Sequence, residues 1–152
     1  MNAGNYADAL EYFVTAEKYV KYYDDYSAIA RLYKAESLVY QYSYDTEMII
    51  SSANKAASYY MMAKDTTKYI NTLNDLIVGY LHKEDTSNVH QCLNEIRTYW
   101  NSLTTQQISD YYSAMLFLNE YTRDNSVDEI LQEYYKAVSN PEDIHWLSVA
   151  NS

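Results

Sequence analysis

The sequence predicts an all-α fold, a row of stacked antiparallel helix hairpins, and three observations carry that prediction. Apolar residues return at helical spacing with a period of forty residues. Residues suited to start a helix return with the same period. The 152 residues include only two glycines, Gly4 and Gly79, and one proline, Pro141, too few for the tight turns of a sandwich or barrel. A hydrophobic fraction of 48% with 21% charged residues fits one folded domain and argues against disorder.

The elements follow in order from this pattern. A first helix at about 6–23 carries Ala9, Phe13 and Ala16 at i, i+4 and i+7. A pair at 26–42 and 45–63 repeats that face as Ile49, Ala53 and Ala56. A pair at 66–83 and 87–103 repeats it as Val89, Leu93 and Ile96, and a pair at 105–123 and 127–139 as Ile130, Tyr134 and Ala137. Four residues before each triplet stand Asn5, Asp45, Asp85 and Ser126, whose side-chain oxygens can accept the unpaired N–H groups of a helix start. The first helix of each pair has a recurring face of its own: Tyr33, Glu36, Ser37 and Tyr40, then Leu73, Leu76, Ile77 and Tyr80, then Ala114, Phe117, Leu118 and Tyr121. A last, partial helix is expected from about residue 142. Links of a few residues make sequence neighbours pack antiparallel. No Pro/Gly/Ser-rich linker interrupts the array, so 1–152 reads as a single domain.

The string Gly4-Asn5-Tyr6-Ala7-Asp8-Ala9-Leu10-Glu11-Tyr12-Phe13-Val14-Thr15-Ala16 resembles the turn and second helix of a tetratricopeptide repeat. Trp146, Val149 and Ala150, following Pro141, resemble the opening of another first helix. With Tyr40, Tyr80 and Tyr121 at the first-helix tyrosine position, the resemblance covers nearly the whole chain, as a long-repeat variant. It implies a right-handed α-solenoid whose first helices line a concave groove, and a non-catalytic role in binding a protein or peptide. Two features depart from the family pattern. The period is forty rather than thirty-four, and Glu36-Ser37 or Leu118 stands where Leu-Gly is usual. HEAT-type helical repeats share a period near forty and are the alternative for the fold.

The phase of the repeat predicts a fragment of a longer protein, opening on a second helix and stopping at Ser152 inside a new first helix. Each large apolar side chain contributes roughly 1.5–3 kcal/mol when fully buried. Uncapped ends exposing Phe13 or Trp146 are therefore expected to favour self-association.

Little in the chain points to chemistry. Cys92 is the only cysteine and reads as a core residue, leaving neither an internal disulfide nor a thiolate zinc site. His82, His90 and His145 form no helical ligand pair with it. Asp24-Asp25 lies at a helix junction, where capping and solvation account for it, and no glycine-rich phosphate loop can be built. No catalytic, cofactor or metal site is assigned, and the expectation is that the chain is not an enzyme. A net charge of −10 without a Lys/Arg cluster argues against nucleic acid. No run of 18 or more apolar residues supports membrane insertion, and nothing in the chain separates cytoplasm from periplasm.

Twenty tyrosines include the adjacent pairs Tyr22-Tyr23, Tyr59-Tyr60, Tyr111-Tyr112 and Tyr134-Tyr135. Adjacent helical residues point about 100° apart, so one ring of each pair can face the core and the other the rim. Some rings can also offer rigid contact area to a partner. The resemblance places the binding positions on the first helices: Arg31, Lys34, Leu38, Gln41 and Tyr42, then Asn71, Asn74, Val78, Leu81 and His82, then Tyr112, Met115, Asn119, Thr122 and Arg123. None of these is acidic. Of this set, Arg31, Lys34, Asn71, Asn74, His82, Tyr112, Asn119 and Arg123 are the candidate site. The expected partner is a protein or peptide with an acidic segment or a C-terminal carboxylate, its backbone held by the asparagines. The same positions would look polar if they merely faced solvent. Leu38 and Val78 stand where the family's carboxylate clamp has asparagines, so that clamp is not expected. The leading function is a peptide- or protein-interaction module. The alternatives are a sensory or regulatory segment of a larger signalling or transcription-control protein, and a structural spacer.

Overall fold

The computed structural model describes residues 3–22 and 25–139. Among them are seven α-helices and one 3₁₀ turn, and no strand: α1 Ala3–Tyr22, α2 Tyr26–Ser43, α3 Thr46–Met62, α4 Thr66–His82, α5 Thr86–Thr98, the 3₁₀ turn Trp100–Ser102, α6 Thr105–Thr122 and α7 Val127–Val138. No helix among the described residues is long and apolar enough to cross a membrane. The expected helix beyond 142, with Pro141, His145, Trp146, Val149 and Ala150, lies outside the described residues, as do Tyr23 and Asp24.

The joints are the most regular feature. Asp25, Asp45, Asp65 and Asp85 stand twenty residues apart. Each accepts, through its side chain, the N–H three residues on, from Ala28 at 2.9 Å and from Met48, Lys68 and Asn88 at 3.1 Å. The residue before three of these caps, Tyr44, Lys64 or Glu84, has φ of 57°, 56° or 55°, the left-handed region. There the preceding helix closes in a Schellman motif. The N–H groups of Asp45, Asp65 and Asp85 reach the carbonyls of Tyr40, Tyr60 and Tyr80, and those of Tyr44, Lys64 and Glu84 reach Gln41, Met61 and Leu81. One aspartate thus ends one helix and begins the next. Two- or three-residue joints of this kind reverse the chain, and each helix packs on its sequence neighbours. At the far end, Thr104 and Gln107 form a capping box, and the Ser126 N–H donates to Glu129 Oε2 at 3.3 Å. Asn5, expected ahead of the first helix, lies within it, since α1 already begins at Ala3.

Packing follows the two recurring faces, with local departures. Ala53, Ala56, Val89, Leu93, Ile96 and Ile130 are buried, whereas Ala9, Phe13, Ala16, Ile49, Tyr134 and Ala137 are half-buried. On α4 the stripe Ile70, Leu73, Leu76 and Ile77 is buried throughout and joins α3, α5, α6 and α7 into one core. A second cluster, Ile29, Ala30, Tyr33, Ala56 and Tyr60, binds α2 to α3. Small side chains let these two helices approach closely. Ser37 Oγ donates to the Ile49 carbonyl at 3.2 Å and Ser52 Oγ to Glu36 Oε2 at 2.9 Å, which explains why Glu36-Ser37 occupies an otherwise apolar position.

The regularity breaks between α5 and α6. The expected helix 87–103 ends at Thr98, and the link turns through Trp100–Ser102 before Leu103 and Thr104 run extended. Trp100 wedges there, edge-on to Tyr111 at 5.3 Å and to Tyr112 at 6.0 Å. The longer link turns α6 about its axis. Tyr112 and Asn119 go inward, and Phe117 and Tyr121, expected on the repeating apolar face, become exposed at 56% and 51%. Tyr111 and Tyr112 are both buried, so this pair does not divide between core and rim, whereas buried Tyr60 beside half-buried Tyr59 does.

Candidate functional site

The candidate surface is the outward face of the first helices, α2, α4 and α6. α4 is tied to its neighbours on both edges. Lys34 Nζ of α2 pairs with Asp75 Oδ2. Gln107 Nε2 of α6 donates to Asn71 Oδ1 at 2.8 Å and to the Thr67 carbonyl at 3.3 Å. Two chain reversals make α2, α4 and α6 parallel, and these contacts fix their level. Leu38 lies one turn beyond Lys34, as Val78 does beyond Asp75, and Phe117 lies about as far beyond Gln107 as Val78 beyond Asn71 and Thr67. Leu38, Val78 and Phe117 therefore lie at similar heights along three helices, and are 45%, 53% and 56% exposed. One turn further stand Tyr42, His82 and Tyr121, all exposed. Large apolar side chains aligned at one level form a surface of the kind that partners cover.

The eight expected site residues divide. Arg31, Asn71 and His82 are exposed on α2 and α4, as expected. Lys34 is half-buried against Asp75, and burial pushes its pKa below the ordinary lysine value. Asn74 is half-buried, and both polar atoms of its side chain are buried without a hydrogen-bond partner among the described residues. Tyr112 is a core residue packed against Trp100, Tyr111 and Tyr134. Asn119 is also interior, its Oδ1 accepting the Asn125 N–H at 2.9 Å and so holding the α6–α7 link. Arg123 is exposed but sits past the helix, at φ 54°, with its N–H on the Asn119 carbonyl. On α6 the positions at these levels are shifted by two residues, to Asp110, Phe117 and Tyr121. Nor is the face free of acids, since Asp75 and Asp110 lie on it. A carboxylate beside Lys34 removes the uncompensated positive field that the sequence suggested.

Among the described residues no group of three His, Cys, Asp or Glu side chains could hold a metal ion. Burial pushes the Cys92 thiol up to about 11, with the Glu95 charge adding to it, so the group stays protonated at neutral pH. Comparison of the chain with protein-family models, with curated proteins and with solved structures found no match.

Proposed function

We propose that the chain is a non-catalytic protein-interaction module, a right-handed α-solenoid of tetratricopeptide type, whose first-helix face takes an apolar segment of a partner protein. The exposed side chains Leu38, Val78 and Phe117, with Tyr42 and Tyr121 one turn on, carry the reading. Fully burying one such side chain contributes roughly 1.5–3 kcal/mol, and covering the exposed half of each of the three adds a share of that to binding. Arg31 and the amide of Asn71 lie on the same helices and can orient a peptide backbone. The charge-led version of this function, an acidic segment or C-terminal carboxylate, rests on Arg31 and Arg123 alone once Lys34 is paired. The exposed tyrosines Tyr12 and Tyr19 on α1 support self-association as a second use of the surface.

Selection of displayed peptides on the immobilised protein tests the proposal. Apolar or aromatic sequences should be enriched, and Val78→Asp with Phe117→Asp, both at exposed sites, should abolish capture with the far-UV spectrum unchanged. Enrichment of acidic C-termini, lost on Arg31→Glu and Arg123→Glu, would restore the charge-led version. No enrichment, or capture indifferent to the double variant, would leave a structural spacer. Sedimentation of wild type against Tyr12→Ser with Tyr19→Ser tests self-association.

A further inference from the structure

The opposite side of the array carries a different surface. α3 and α5 both pack on α4 and leave between them a furrow of about 670 Å³, within the range of ligand sites. Its floor is Tyr69, Leu73, Leu76 and Tyr80, and one wall carries Met61 and Met62, 50% and 58% exposed. Amide side chains of Asn54, Asn88 and Gln91 line it as well. Glu95 is the one Asp, Glu, His, Lys or Arg in the lining. It is half-buried, and the Tyr69 hydroxyl donates to its Oε1 at 3.3 Å. No lysine or arginine among the described residues forms an ion pair with it.

We propose that this furrow is a second docking site, taking a partner-protein segment that carries a lysine or arginine, with the cation against Glu95 and its apolar flanks on Met61, Met62, Leu73 and Leu76. A carboxylate with no cation of its own is open to a partner's, and a cation brought to a half-buried site is screened less than in open water. Tyr69, edge-on to Tyr99 at 6.0 Å, adds aromatic surface beside the carboxylate. The protein already sets lysines over tyrosines in this way, Lys55 Nζ 5.0 Å from the centre of Tyr33 and Lys68 Nζ 5.8 Å from that of Tyr60. The methionines are flexible, polarisable walls that adapt to different apolar side chains, and a net charge of −10 draws cationic segments to the protein.

The array contains its own control. Between α5 and α7 lies the equivalent furrow, about 530 Å³, but lined by Arg97, Glu133 and Lys136. Lys136 stands forty-one residues after Glu95, so the repeat reverses the charge at this position, and the second furrow is not a site for the same cation.

The site is tested with acetylated and amidated octapeptides, Ser-Leu-Met-Xaa-Leu-Ala-Gln-Ser with Xaa lysine, glutamine or glutamate, titrated into protein carrying ¹³C-labelled methionine methyls. The lysine peptide is expected to shift the signals of Met61 and Met62 and not those of Met48 or Met115, and to bind at least tenfold more tightly than the glutamine peptide. Glu95→Gln, which keeps an acceptor for the Tyr69 hydroxyl, should erase that preference. Val78→Asp with Phe117→Asp should leave it intact, which separates this site from the first-helix face. Equal binding of the three peptides, a preference that survives Glu95→Gln, shifts confined to Met48 or Met115, or no binding at all would each overturn the proposal.

Discussion

Replacing Lys64 and Glu84 by glycine should stabilise the protein, although both changes remove side chains and add nothing. Each residue is exposed at the joint of two helices and holds φ near 55°. The left-handed conformation brings Cβ close to the following carbonyl and costs an ordinary residue roughly 1–2 kcal/mol. Glycine removes that cost but loses about 0.5–1 kcal/mol more backbone entropy on folding, leaving a net gain of about 0.5–1 kcal/mol per joint. The two sites flank α4, about 25 Å apart at 1.5 Å per residue, so their effects should add. The double variant is expected to gain about 1–2 kcal/mol and, for a chain of this size, roughly 2–8 °C in Tm. Urea unfolding followed by far-UV circular dichroism measures this as a higher midpoint with an unchanged slope. Two controls isolate the cause. Lys64→Ala keeps Cβ and should change stability by less than about 0.5 kcal/mol. Ala63→Gly, one residue earlier at φ −74°, gains nothing from the exchange and should lose about 1 kcal/mol. If Lys64→Gly proved as damaging as Ala63→Gly, the reading of these joints as strained caps would be wrong.

Other expectations follow from single contacts. Hydrogen bonds from Lys68, side chain first and backbone second, hold the Asp65 carboxyl below its ordinary pKa, so its contribution is present above the usual carboxylate range and lost as pH falls through the lowered value. Asp65→Ala should cost about 1 kcal/mol at pH 7, whereas Asp65→Asn should keep the cap and flatten the acid dependence of the urea midpoint near and below pH 4. A Cβ at position 79 would meet Ile50 Cγ1 at 2.9 Å, so Gly79→Ala should destabilise by about 1–2 kcal/mol despite alanine's helix preference, and be partly rescued by Ile50→Ala in a double-mutant cycle. Asn74→Leu removes two buried polar atoms that lack partners and should raise stability by about 1–2 kcal/mol by thermal melting. Cys92 should resist thiol reagents at pH 8 in the native protein and react promptly in urea.

Much of the fold is written in local pattern. The forty-residue faces place the helices to within a few residues, and Asp45 and Asp85 cap where they were expected because a cap bonds to groups only two or three positions away. A finer signal was also legible: Asp25, Asp45, Asp65 and Asp85 are spaced by twenty, as are Tyr40, Tyr60 and Tyr80, so from α2 to α5 the same joint recurs at every helix. Arg31, Asn71 and His82 were legible as exposed positions because α2 and α4 obey the common phase. Tyr112 and Asn119 were not, because they lie beyond the long α5–α6 link.

The sequence by itself determined the helical class, the order and approximate extent of the helices and most of the stripes they bury, since periodicity and capping act over a turn or two of chain. Only the tertiary structure decided how α6 is rotated, that Lys34 is matched by Asp75, that Phe117 rather than Asn119 is exposed at the level of Leu38 and Val78, and that Glu95 faces a furrow. A helix's rotation about its own axis is set by all its neighbours at once and by the geometry of the link that delivers it. A two-residue slip turns a side chain through about 200° while leaving the amphipathic pattern of the sequence intact.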